Sequence, residues 1–289
     1  MNTLFNAEEM RIKLPHIELA ACLYGPADGQ PVLALHGWMD NLMSFARLAP
    51  RLEGLRILAL DMAGHGHSAP RAAGGGYVLF DYVQDALLAA DYMGWQQFSL
   101  LGHSLGAMIS TLLAACLPQR VHKLALIDGL IAHTSAAQRA PDTMAAALTA
   151  STMLEGRKPR LHPTWESAIA ARMRGIVGVN HEAAQYLAQR GVIERDGGFC
   201  WNLDPRLKLP SPLYLTPEQA NAFARALKVP TCLILAEQGL LKPRAGVAEL
   251  LAELPILCHS LPGRHHLHLE SESGAQQVAD CFNRFLRTL

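Results

Sequence analysis

The pentapeptide Gly102-His103-Ser104-Leu105-Gly106 sets a serine between two glycines, after an apolar run at 98–101 and before a helical pattern starting near Ala107. A free serine hydroxyl is a weak nucleophile at neutral pH, and a sharp strand–turn–helix bend exposes it at the end of a sheet. The backbone at such a bend is strained, and side chains two residues away on either side would clash, which accounts for both glycines. Ser104 then stands at a helix N-terminus, whose dipole favours a developing oxyanion. The serine needs a base, expected beyond the last strand. Pro262-Gly263-Arg264-His265-His266-Leu267-His268 offers three imidazoles. His265 is preferred as the first residue free of the strand, with His266 and His268 as alternatives.

The third requirement is a carboxylate that orients the imidazole and stabilises imidazolium. Two positions compete. Asp128 ends the apolar run at 124–127, whereas Glu237 follows the run at 231–235, where the usual acid position falls on Gly239. Asp128 is the preferred acid and Glu237 the alternative. An oxyanion would rest on the N–H of Leu105, after the nucleophile, and on that of Trp38 in the loop His36-Gly37-Trp38. Each donor in such a hole lowers the barrier by roughly 3 kcal/mol. His65 and His67 belong to a structural turn that starts at Asp61, and no metal site is expected there or in the histidine-rich segment.

The elements that must position these residues alternate. Eight short apolar runs, near 11–14, 17–24, 31–35, 56–60, 98–101, 124–127, 231–235 and 256–261, suit strands buried on both faces of a sheet. Helical patterns lie between them at 44–52, 78–93, 107–117, 246–254 and 274–289, with Gly94 and Pro118 as stops. Such alternation implies a mostly parallel sheet with helices on both faces. The rhythm breaks from about 130 to 228. Helices are expected there near 144–154, 165–174 and 182–189, and a hairpin at 192–203 turning at Asp196-Gly197-Gly198. A further helix opens at Thr216, with Gln219 placed to complete a capping box. The expected organisation is a core of residues 1–129 and 229–289 with a helical cap insertion at 130–228.

Of 289 residues, 50% are hydrophobic and 17% charged, against about 25% charged in an average protein, so a large core forms and disorder is excluded. Lys plus Arg and Asp plus Glu balance at 25 each, which gives no electrostatic reason to bind nucleic acid or an anionic membrane. No apolar run reaches the roughly 20 residues of a membrane span. Charged residues at 8, 9, 11 and 13 do not suit a secretory signal, so a cytoplasmic location is expected. The six cysteines lack C-x-x-C spacing and sit mostly in apolar runs, as small buried thiols do.

Together, His36-Gly37-Trp38, Asp61-x-x-Gly64-x-Gly66-x-Ser68, Gly102-His103-Ser104-Leu105-Gly106 and Gly263-x-His265 resemble the α/β-hydrolase superfamily over essentially the whole chain. His36-Gly37-Trp38-Met39-Asp40-Asn41, Leu187-Ala188-Gln189-Arg190-Gly191 and Asp204-Pro205-Arg206-Leu207 look like segments of the serine hydrolase-like proteins. The resemblance implies the α/β-hydrolase fold, a mostly parallel eight-stranded sheet carrying a helical cap. It also supports Asp128, because this group resembles hydrolases whose acid follows the strand before the insertion. The expected activity is that of a cofactor-independent serine hydrolase. It would cleave a carboxylic ester of a small or medium apolar substrate through an acyl-enzyme. The same triad could serve perhydrolysis, acyl transfer or C–C hydrolysis, and a non-catalytic ligand-binding protein is the rival from another class. The oligomeric state is open, with a cap-mediated dimer as one arrangement.

Overall fold

The computed structural model describes residues 7–154 and 159–287. The first six residues of the expected core and the last two of its expected C-terminal helix lie outside them. Eight strands form one sheet: β1 (Glu8–Lys13), β2 (Glu18–Tyr24), β3 (Gln30–Leu35), β4 (Leu55–Leu60), β5 (Phe98–His103), β6 (Val121–Ile127), β9 (Thr231–Gln238) and β10 (Leu257–Arg264). Strands β7 (Val192–Arg195) and β8 (Gly198–Trp201) pair separately as a hairpin. The sheet order is β1-β2-β4-β3-β5-β6-β9-β10. Strand β2 runs antiparallel to both of its neighbours, and all other pairings are parallel.

Period-two alternation sends the central strands to two cores. Leu33 and Leu35 of β3 face one, while Val32 and Ala34 face the other. On the first face pack α1 (Leu79–Tyr92), α2 (Leu105–Cys116), α6 (Pro217–Arg225) and α7 (Val247–Glu253). On the second pack α9 (Glu272–Arg287), the short α8 (Leu267–Glu270) and two 3-10 turns. Those turns, Leu42–Phe45 and Ala49–Arg51, replace the single helix expected at 44–52. Pro50 lacks an N–H and would clash with the carbonyl four residues back, so one continuous α-helix cannot form. Asn41 caps the first turn by accepting from Met43 N.

Between β6 and β9 lie α3 (Ala140–Thr152), α4 (Trp165–Met173), α5 (His181–Gly191), the hairpin and α6. Thr164 and Thr216 both open helices with capping boxes, the second with Gln219 as expected. The hairpin turns at Asp196 and Gly197, both at positive φ (50° and 77°), as a tight Asp-Gly turn requires. Helices α4 and α5 and the hairpin share a small core with Leu269 of α8, whereas α6 packs against α2.

Polar struts fix this region to the loops of the main sheet. Arg190 on α5 reaches Asp61 at 2.6 Å and Glu9 at 3.0 Å. Asn41 donates to the Leu187 carbonyl at 2.9 Å, and Asn202 to that of Gly66 at 2.7 Å. The six thiols are free, but Cys116 and Cys258 are exposed rather than buried: Cys116 is the last residue of α2, and Cys258 lies on the edge strand β10. Among the described residues no helix is long and apolar enough to cross a membrane.

Candidate active site

Parallel pairing brings the ends of four strands level. Leu35 aligns with Gly102, His103 with Ile127, and Ile127 with Ile234. The residues that follow, including His36, Ser104 and Asp128, therefore emerge along one edge of the sheet, as expected at the carboxyl ends of parallel strands.

Ser104 sits between β5 and α2 at φ 52°, ψ −112°, a strained conformation for a non-glycine residue. Both flanking glycines are required sterically. A Cβ on Gly102 would strike the Ala107 backbone, and one on Gly106 would strike the Leu35 carbonyl. The bend is pinned by Ser104 N donating to Ile127 O at 3.0 Å and Gly106 N to His36 O at 3.0 Å.

Asp128 follows β6 with φ 43° and is buried. Its Oδ2 lies 2.5 Å from His265 Nδ1 and accepts the Leu240 N–H at 2.7 Å. A carboxylate only accepts, so Nδ1 carries the hydrogen and Nε2 is left as the basic nitrogen. Glu237 stands on the exposed tail of β9. Gly239, two residues on, adjoins the Asp128 carboxylate itself. Ser104 and His265 line the same cavity, of about 500 Å³. Trp38, Tyr82 and Met108 contribute to its walls from the core, and Val177, Leu209 and Leu213 from the segment between β6 and β9.

Trp38 and Leu105 also line this cavity. Leu105 is the first residue of α2, so its N–H has no carbonyl one turn back within the helix. The Trp38 loop is held by two core histidines. His36 donates from Nδ1 to Gly37 O at 2.7 Å and accepts from Met62 N at 3.0 Å. His65 accepts from Met39 N at 3.2 Å and donates to Ala63 O at 3.0 Å. Burial pushes their imidazoles down to about 4 and about 3, so both are neutral structural residues.

The other two histidines of the C-terminal segment take different partners. His266 donates from Nε2 to Asp40 Oδ2 at 2.9 Å, and His268 Nε2 lies 3.1 Å from Ser44 Oγ. Asp40 and its second partner, Arg172 at 2.6 Å, were not anticipated as site residues from sequence, although Asp40 lies in the His36–Asn41 motif. Burial pushes the Asp40 carboxyl up, but His266, Arg172 and His103 pull it further the other way, well below the usual carboxylate range. Asp40, His103 and His266 bring three possible metal-ligand atoms within 4.8 Å of one another. Both Asp40 oxygens are already engaged, Oδ1 by the Arg172 guanidinium and Oδ2 by His266 Nε2, while His103 Nδ1 makes no hydrogen bond among the described residues.

Comparison with known proteins identifies the family. The family model described as the alpha/beta hydrolase fold matches residues 30–272. A serine hydrolase-like protein of Danio rerio is 30% identical over 288 residues, covering 96% of this chain and 88% of that protein. Serine hydrolase-like protein 2 of Homo sapiens is 27% identical, covering 96% of this chain and 94% of its own length. The crystal structure of a hypothetical protein from Pseudomonas aeruginosa PAO1 is 54% identical, with TM-score 0.95, covering 97% of this chain and 100% of that one. The chain is a hydrolase that belongs to the alpha/beta hydrolase family, alongside the serine hydrolase-like proteins.

Proposed function

We propose that this hydrolase cleaves a carboxylic ester of a small or medium apolar substrate, with Ser104, His265 and Asp128 as its triad. Ser104 Oγ attacks the ester carbonyl while His265 Nε2 takes its proton. The oxyanion rests on the N–H groups of Trp38 and Leu105. His265 then protonates the leaving alcohol. Water, deprotonated by the same nitrogen, attacks the acyl-enzyme, and the acid departs as Ser104 recovers its proton. Asp128 keeps Nδ1 protonated and stabilises the imidazolium.

The observation that carries this reading is the 2.5 Å contact between Asp128 Oδ2 and His265 Nδ1, beside a cavity that Ser104 also lines. The apolar residues of that cavity favour an acyl chain or an aromatic ester over a sugar or phosphorylated compound. Residues 130–228 are assigned the role of a cap, because Val177, Leu209 and Leu213 close over the cavity from that segment.

The test is covalent labelling with a fluorophosphonate together with turnover of chromogenic esters. Wild type should label once, and Ser104→Ala should lose both label and turnover. Turnover undiminished in Ser104→Ala would sink the serine mechanism. A folded wild type that takes no label and cleaves no ester would favour a ligand-binding protein.

A further inference from the structure

Ser104 and His265 are each flanked by a buried histidine, His103 before the serine and His266 after the imidazole. Both flanking rings approach one carboxylate. His266 Nε2 is 2.9 Å from Asp40 Oδ2, and His103 Nδ1 is 3.8 Å from the same oxygen. The other His103 nitrogen, Nε2, donates to the His265 carbonyl at 3.0 Å. A carbonyl only accepts, so this bond fixes the His103 tautomer and ties the residue before Ser104 to the backbone of His265.

The remaining Asp40 oxygen takes Arg172 at 2.6 Å. Arg172 lies in the last turn of α4, and its guanidinium also donates to the Val177 carbonyl at 2.5 Å. Asp40 itself belongs to the loop that carries Trp38, and its N–H donates to Gly37 O at 3.2 Å. One buried carboxylate on the Trp38 loop thus bonds the residue after His265 and the segment between β6 and β9, and lies 3.8 Å from the bare Nδ1 of the residue before Ser104.

A buried anion holds its place only while its donors are present. The Arg172 guanidinium is the only permanently charged group among those contacts. If α4 lifts, Asp40 keeps only the His266 N–H, and the carboxylate that seats the His266 ring beside His265 loses its charge balance. We propose that Asp40 and Arg172 are positioning residues that couple the seating of α4 to the placement of Ser104 and His265. This rests on the reading of those two residues as nucleophile and base. The apposed α4 is then part of the reactive state although its own residues do not line the cavity, and a substrate that packs on the adjoining Val177 also completes the site.

The experiment uses the full chain, a short chromogenic ester and a small fluorophosphonate. Arg172→Met should lower kcat and the labelling rate of Ser104 together by about 10- to 100-fold, the scale of a misplaced reacting group, with KM within about threefold. Arg172→Lys should recover part of the loss. Asp40→Asn should resemble Arg172→Met, because an amide offers one acceptor to two donors. Combining Arg172→Met with His266→Ala should lower kcat little beyond the larger single effect, since both act through one carboxylate.

Circular dichroism and a melting curve confirm that each variant is folded at the assay temperature. A folded Arg172→Met enzyme that only melts earlier, with kcat and labelling intact, would overturn the proposal. So would a rise confined to KM, or multiplicative effects in the double variant. Ser104→Ala separates the two levels. If it retains turnover, the serine mechanism falls and the coupling with it, whereas an inactive Ser104→Ala beside a fully active Arg172→Met removes the coupling alone.

Discussion

Gly239 lies against the Asp128 carboxylate so closely that one added methyl on residue 239 would overlap that group. The loop after β9, where an acid is common in this architecture, is instead the surface on which an acid from β6 rests. The absent side chain at 239 and the present carboxylate at 128 are two halves of one packing solution. Gly239→Ala should therefore displace Asp128 from His265 and lower kcat by about 10- to 100-fold without unfolding the chain. Steady-state turnover of a chromogenic ester, with a melting curve as control, measures it. Full activity would mean that the carboxylate tolerates being moved.

The same relationship ranks the acids. Asp128→Asn keeps the shape but removes the charge that stabilises imidazolium, and kcat should fall by about 10²- to 10⁴-fold. Glu237 is exposed on the tail of β9, and Glu237→Gln should stay within about twofold of wild type. A reversal of that order, read from kcat in parallel assays, would return the acid to Glu237.

Much of this site could be read from residue order alone. The bend at Ser104 was legible because its two glycines answer specific collisions, with Ala107 and with the Leu35 carbonyl. The strands were legible because burial on both faces leaves continuous apolar runs in β3 to β6 and in β9. The choice between Asp128 and Glu237 stays open in the sequence because it turns on long-range placement: β9, not β6, lies beside β10, yet it is the Asp128 carboxylate that reaches His265 Nδ1. Asp40 and Arg172 were missed for a similar reason. Their partnership joins the loop after β3 to α4, and no local periodicity marks a long-range ion pair. The helix expected at 44–52 failed on Pro50, whose effect was outweighed in the sequence by apolar spacing.

Acid sensitivity of the fold follows from its buried imidazoles. Burial lowers His36 to about 4, His65 to about 3 and His268 to about 3, from an ordinary 6.5. Their folded values lie below the unfolded one, so between them the unfolded chain binds more protons. Stability is then full above pH 6.5 and is lost as pH falls towards 4, by on the order of 1 kcal/mol per pH unit for each such group. Urea denaturation at a series of pH values from 7.5 to about 5 should show the free energy level down to about 6.5 and falling below it. A flat profile would show that these histidines accept protons in the folded state.

Arg190 and Asp61 form a buried pair, with side chains 6% and 0% exposed. Asp61 also receives the N–H groups of Leu42 and His67, so its charge anchors two loops at once. Arg190→Met would leave that carboxylate without its cation. The expected loss is about 3 to 5 kcal/mol, the scale of a broken buried pair. Chemical denaturation measures it. A loss under about 1 kcal/mol would mean that water or His67 replaces the guanidinium.

For the proposed ester substrate, Met108 is placed to limit the acyl chain. It is one turn along α2 from the nucleophile, its N–H bonds to Ser104 O at 3.1 Å, and its side chain lines the cavity. Each methylene that moves from water into such a wall gains about 0.8 kcal/mol, or about fourfold in kcat/KM. A series of 4-nitrophenyl esters of increasing acyl length should therefore climb by that factor until the chain meets the far wall, and then level or fall. Met108→Phe adds bulk to the wall one turn along α2 from Ser104, so the break should come at a shorter chain while the acetate ester is turned over nearly as before. If the acyl group instead faces away from Met108, the break stays where it was in wild type. The alcohol side of the ester would then be the part that this cavity measures.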